Sequence, residues 1–259
     1  MSEFAFVKMH GAGNDFAMID DRDGRFPVDE PAKIAAFACR PTGIGCEGVI
    51  LVRNSDVADF AMRFFNPDGS EAELCGNGAR CVAVFARAIG AVRTDRMRFE
   101  SRAGFVSAEI LAEGLVRIGM PRPKDLRENF VNSGVPHCIV PVDNLEAADV
   151  VGEGRRIRYS EAFAPAGTNV DFVRYEAPNR AFIRTYERGV EDETFACGTG
   201  SVAAAVVGVA QHGLEFPVKV TTSRGCELVV DGVRSNDGFD SVTLTGPVVK
   251  VYEGTYNLI

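Results

Sequence analysis

Two short segments of this chain have residues suited to chemistry. Cys75-Gly76-Asn77-Gly78 recurs 122 residues later as Cys197-Gly198-Thr199-Gly200. Each is followed by an Ala/Val-rich apolar run that reads as a helix, so each cysteine stands where a helix begins. The first backbone N–H groups of a helix lack intrahelical partners, and its dipole leaves partial positive charge there. Glycine lets the chain approach a ligand closely. The result is an anion cradle suited to a carboxylate. A cysteine in that place has its thiolate favoured, and the pattern predicts a pKa below the free value of about 8.5.

Two such thiols on opposite sides of one carbon could invert a stereocentre. One thiolate would take the Cα proton of an amino acid, and the other, as a thiol, would return a proton to the opposite face. The carbanion is the difficulty. Helix N-terminal donors aimed at the developing charge are the remedy, each worth about 3 kcal/mol, and several are needed. That is a reason for two motifs rather than one.

The motifs belong to a longer repeat. In the same register Glu71 falls on Glu193, Ala83 on Ala205, Val84 on Val206, Ala88 on Ala210 and Ser101-Arg102 on Ser223-Arg224. Each copy reads as a strand (60–65; 181–186), a polar turn, the cysteine motif, a helix (79–89; 201–211) and a β-rich stretch (97–110; 218–230). Further strands are expected at 4–10, 16–19, 49–52, 115–120, 137–142, 170–174 and 242–245, and a helix over 31–39 opened by Pro31. The two repeat helices are apolar nearly all round, which predicts burial. Short strands wrapped round each give two similar α+β domains, 1–119 and 120–247, with 248–259 completing the first.

A net charge of −8 argues against nucleic acid as a partner. The N-terminus lacks a secretory leader, and no apolar run is long enough to cross a membrane. Seven cysteines, an odd number with no leader, imply reduced thiols in the cytoplasm. No CxxC or HxxxH spacing offers a metal site, so no metal is expected. Cys39, Cys46, Cys81, Cys138 and Cys226 open no repeated motif and read as structural. None of the five lysines has a recognisable Schiff-base setting, so no cofactor is expected.

At 6–16 (Phe-Val-Lys-Met-His-Gly-Ala-Gly-Asn-Asp-Phe), at 66–71 through Cys81, at Glu187-Arg188-Gly189 through Gly200, and at Pro136-His137 and 167–170, the chain resembles the diaminopimelate epimerases. The resemblance covers essentially the whole chain. It departs at Val135, where some members carry Asn, at Gly48, where some carry Gln, and at Glu47, where Asp is commoner. It implies a pyridoxal-phosphate-independent isomerase with two pseudo-symmetric domains, each a mostly antiparallel β-barrel around a central helix, assembled as a homodimer. The substrate would be LL- and meso-2,6-diaminopimelate, in lysine and peptidoglycan precursor synthesis. Cys75 and Cys197 would be catalytic. Asn14, Asn66, Asn169, Glu187 and Arg188 would contact substrate, with the backbone at Gly76-Asn77 and Gly198-Thr199 holding the reacting carboxylate.

Residue chemistry agrees with that implication. A diamino diacid has a second charged end, and Arg188 can grip its carboxylate with two parallel bonds. Asn66 takes the place of Arg188 in the repeat register, as expected if only the reacting end is two-fold. His137 and Glu187 could relay protons for the thiols. A racemase of proline, hydroxyproline or histidine keeps the chemistry, but a proline-like substrate has no use for Arg188. A thiol redox protein would need a resolving thiol, and an anion-binding module would leave two matched thiols unexplained.

Overall fold

The computed structural model describes residues 2–112, 114–235 and 238–258. The chain forms two compact units, Met1–Ile118 with Gly246–Ile259, and Gly119–Thr245.

The first unit opens with a hairpin, β1 (Ser2–Gly11) and β2 (Asn14–Asp20), whose two-residue turn has Ala12 and Gly13 both at positive φ. That is the turn geometry that matches strand twist. α1 (Pro31–Ala38) carries the chain to β3 (Val49–Arg53), parallel to β2. β4 (Phe60–Phe65) and the short β5 (Glu71–Ala72) follow. α2 (Gly76–Ala88) then leads to β6 (Arg96–Ser101), parallel to β4, and to β7 (Gly104–Ala112) and β8 (Leu115–Met120). α2 is enclosed by the strands, with Ala79, Cys81, Val82, Ala83, Phe85 and Ala86 buried. α1 packs on the outer face through Ile34 and Phe37, among Phe4, Phe6, Phe26 and Leu51.

The second unit repeats this plan. β9 (Lys124–Arg127) and β10 (Phe130–Asn132) precede β11 (Pro136–Pro141). α3 (Val150–Arg158) carries the chain to β12 (Asn169–Glu176), parallel to β11. β13 (Arg180–Glu187) and β14 (Asp192–Thr194) lead to α4 (Gly198–Gln211). β15 (Val218–Thr221), parallel to β13, β16 (Glu227–Ser235) and β17 (Gly238–Leu258) complete it. α4 is buried from Gly200 to Gly208.

β17 serves both units. Its first part pairs with β16 as far as Thr245, and from Val248 onward it pairs with β1. The intervening Gly246-Pro247 marks the change, and a proline has no N–H to give a ladder. The division therefore falls just before the cuts expected at 119 and 247. In the first unit β17 also pairs with β8, so β17, β1, β2, β3, β4, β6, β7 and β8 form a closed circuit around α2. Most pairs are antiparallel, and the parallel ones are those bridged by a helix.

The elements differ from the expectation in three ways. α2 and α4 begin at their motif glycines, three residues earlier than the apolar pattern suggests, because glycine is tolerated in a first turn. α3 was not expected. Gly152, Gly154 and three arginines hide its pattern, yet Asp149 caps it by accepting from the Gly152 N–H at 2.9 Å. Its place was legible from the repeat, since α3 bridges β11 and β12 as α1 bridges β2 and β3. β17 is far longer than the short strand expected over 242–245.

Candidate functional site

Cys75 is the N-cap residue of α2, in extended backbone (φ −127°, ψ 123°). Its Sγ donates to Asn14 Oδ1 at 3.4 Å, and the same oxygen accepts from Asn77 Nδ2 at 3.2 Å. Asn14 is aimed by the hairpin turn that precedes it and by its own Nδ2, which donates to Glu47. Behind it, Asp15 pairs with Lys8 at 2.6 Å and Arg40 at 2.8 Å. Burial works against the Asp15 charge, but these two cations hold its carboxyl below the usual range. Asn77 Oδ1 accepts from the fully buried Arg80 at 2.7 Å, and Arg80 also reaches the Gly76 carbonyl at 3.3 Å. A Cβ on Gly11 would lie 2.9 Å from the Asn77 carbonyl oxygen, so this glycine is needed for β1 to run against the first turn of α2. Asn66 does not join this group; its Nδ2 donates to Ser70 Oγ at 3.1 Å in the turn before β5.

Cys197 is likewise the N-cap of α4 (φ −108°, ψ 114°). Its sulfur accepts from the Gly200 N–H at 3.4 Å and lies 3.4 Å from Thr199 Oγ1. Thr199 Oγ1 is 3.0 Å from His137 Nε2, and His137 Nδ1 is 2.7 Å from Asp171 Oδ2. His137 and Asp171 are both fully buried. Asn169, also buried, holds two backbones: it donates to the Pro136 carbonyl at 3.0 Å and accepts from the Arg188 N–H at 2.9 Å. It thus sets the place of Arg188, whose Nη1 reaches the Ala166 carbonyl at 3.4 Å. Glu187 accepts from Thr194 Oγ1 at 2.8 Å.

The thiol of Cys197 departs from the expectation of a lowered pKa. Protein packed around the sulfur pushes it up well above the ordinary value. The negative charges of Glu187 and Asp171 add to this, and bonds from Thr199 and Gly200 oppose it only in part. Burial outweighs the helix N-terminus, because removing a thiolate from water costs more than a partial dipole charge returns. The chain cysteines that open no motif differ in setting. Cys81 is enclosed and its thiol is pushed up to about 12, and Cys138 to about 11.

Sequence reasoning did not single out Arg80 or Asp171. A signal existed for Asp171. Residues 169 and 171 share one face of a strand, so two polar side chains point to the side where α4 lies buried. Gly48 is glycine for packing, since a Cβ there would lie 2.4 Å from the Phe64 ring. Among the described residues no cluster of His, Cys, Asp and Glu could hold a metal, and no helix is long and apolar enough to cross a membrane.

The chain matches a family model described as diaminopimelate epimerase over residues 6–124 and 129–251. It is 42% identical over 261 residues to the diaminopimelate epimerase of Chlorobaculum tepidum, covering 96% of this chain and all of that one. It is 42% identical over 276 residues to that of Aquifex aeolicus, covering 96% of each. Among solved structures, a PhzF-family phenazine biosynthesis protein of Bacillus anthracis superposes with a TM-score of 0.76 at 17% identity, covering 99% of this chain and 100% of that one. A hydroxyproline epimerase of Agrobacterium vitis gives 0.68 at 16%, covering 98% and 92%. At such identities the likeness is one of fold.

Proposed function

The chain belongs to the diaminopimelate epimerase family, and from that membership we propose that it interconverts LL- and meso-2,6-diaminopimelate with Cys75 and Cys197 as its two acid/base groups. The observation that carries the reading is the repeated placement of a cysteine as the N-cap of a buried helix, once in each unit.

The chemistry balances with two sulfurs and one carbon. A thiolate takes the Cα proton and becomes a thiol, and the C–H electron pair moves into the carboxylate as an enediolate. The other thiol returns a proton to the opposite face and is left as a thiolate, so the next turnover runs in reverse. The N–H groups at Gly76, Asn77, Gly198 and Thr199 hold the reacting carboxylate and its developing charge. Asn14 orients Cys75. Arg188, set by Asn169, takes the distal carboxylate, and Glu187 and Asn66 serve the remaining polar groups of the distal end. No pyridoxal phosphate enters. A homodimer in the cytoplasm, acting in lysine and peptidoglycan precursor synthesis, completes the reading and rests on the family alone.

The test is turnover in deuterated water without added cofactor. Deuterium should enter at the inverted centre of diaminopimelate, and proline, hydroxyproline and histidine should not react. Cys75→Ala and Cys197→Ala should each lose at least about 100-fold in kcat. Full turnover by either alanine variant would remove the two-thiol mechanism.

A further inference from the structure

Beneath the first turn of α4 lies a chain of polar groups, buried at its inner end, that the proposed reaction does not by itself require. Asp171 Oδ1 accepts from Thr185 Oγ1 at 2.7 Å, and its Oδ2 meets His137 Nδ1 at 2.7 Å. His137 Nε2 meets Thr199 Oγ1 at 3.0 Å, and Thr199 Oγ1 meets Cys197 Sγ at 3.4 Å. Asp171 and His137 are fully buried, and Thr185 nearly so.

The donor and acceptor roles follow from the far end. With Asp171 as a carboxylate and a neutral His137 ring, Nδ1 would carry the proton and Nε2 would offer its lone pair. The Thr199 hydroxyl would then donate to Nε2, and its oxygen would accept from the Cys197 thiol. That alignment runs in one direction, from sulfur to carboxylate.

The second motif glycine belongs to this arrangement. A Cβ on Gly200 would come within 2.6 Å of Asp171 Oδ1. The carboxylate occupies the space that any side chain at position 200 would need. The first unit has the same close approach with different chemistry. A Cβ on Gly78 would come within 2.6 Å of Ile50 Cδ1 and 3.5 Å of the Phe16 ring. Apolar side chains thus satisfy the fold where the second unit has a carboxylate. A buried ionisable pair is also weak support for stability, because desolvation offsets its attraction. The architecture does not explain Asp171.

Resting on the reading of Cys197 as a catalytic thiol, we propose that Asp171 is a positioning residue that locks His137 in its Nδ1–H form, so that Nε2 and the Thr199 hydroxyl form a relay for the Cys197 proton, and that Gly200 is glycine to admit this carboxylate. In the relay the thiol proton passes to Thr199 Oγ1 as the Thr199 proton passes to His137 Nε2. The products are a thiolate and an imidazolium, the latter facing the Asp171 charge. The thiol that burial and Glu187 disfavour from ionising alone thereby has an internal acceptor.

The test uses the full chain labelled with 15N-histidine, which has three histidines, His10, His137 and His212. Two-bond 1H–15N spectra distinguish the tautomers, and His10→Gln and His212→Gln assign the signals. The His137 signal should be that of the Nδ1–H form. In Asp171→Asn the amide can donate to Nδ1, so His137 should switch to the Nε2–H form. Its kcat should fall about 1,000-fold or more, by the same tautomer logic that governs a Ser-His-Asp triad, with KM within a few-fold. Thr199→Val should lower kcat while leaving the Nδ1–H form in place, and it decides the case should the Asn variant not fold. The proposal is overturned by an Nε2–H tautomer in the native protein, by native kcat in Asp171→Asn, or by native kcat in Thr199→Val. Cys197→Ala separates the two readings. If it is inactive while Asp171→Asn is native-like, only the relay fails; if it keeps native kcat, the role of Cys197 fails regardless of the spectra.

Discussion

Arg184 grips Glu193 through Nε and Nη2 at 2.8 and 2.7 Å, and in the other unit Arg63 grips Glu71 in the same way at 2.8 and 2.9 Å. Each pair ties a long strand to the short strand that leads into a cysteine motif. The repeated glutamates are therefore braces for the approach to the helix rather than groups at its mouth.

Glu71→Gln should destabilise the protein by about 1 kcal/mol at pH 7, a bidentate but part-exposed pair being worth no more. Arg63 holds the Glu71 carboxyl below its ordinary value of 4.5, with Arg102 adding to the effect against the cost of burial. A carboxyl whose folded pKa is lowered contributes stability above its unfolded pKa and loses it as pH falls through the folded value. Urea midpoints of native and variant protein should thus differ at pH 7 and converge below about pH 4. A gap unchanged at pH 3 would show that the brace does not act through its charge.

Gly154→Ala offers a contest of magnitudes in α3. Helix propensity favours alanine by about 1 kcal/mol. Against this, the new Cβ would lie 2.5 Å from Tyr186 Cβ, a fully buried side chain on β13. Overpacking of that kind costs about 1–3 kcal/mol, so the variant should melt lower than native protein. A raised melting temperature would mean that α3 slides freely over β13.

Asn14→Ala removes the acceptor that Cys75 Sγ uses and leaves Asn77 Nδ2 without that bond. The expected loss is about 10-fold in kcat, the kinetic equivalent of roughly 1.4 kcal/mol. Steady-state kinetics that show only a raised KM would place Asn14 at the substrate and not at the sulfur.

Alkylation at pH 8 followed by mass spectrometry should modify the exposed Cys39 well before Cys81. Burial pushes the Cys81 thiol up to about 12, and only the thiolate reacts. Cys81 should become reactive only with unfolding. Early labelling of Cys81 in folded protein would contradict its enclosure inside the first unit.

The repeat, the two enclosed helices, the cysteine at the head of each and most of the strands were legible in the sequence. These are properties of local pattern. Apolar periodicity, Gly after Cys, and a register held without gaps need no knowledge of the third dimension. It also carried the family, through motifs spread over the whole chain. Tertiary structure decided what the polar residues do. Nothing local shows that Asn169 joins the Pro136 and Arg188 backbones. Asp171 carries no local motif, yet parallel pairing of β11 and β12 brings it to His137, and the close seat of α4 brings both to Thr199 and Cys197. The direction of the Cys197 pKa shift was settled there too. A helix N-terminus can be read from a sequence, whereas desolvation depends on everything packed around the sulfur, and most of that comes from elsewhere in the chain.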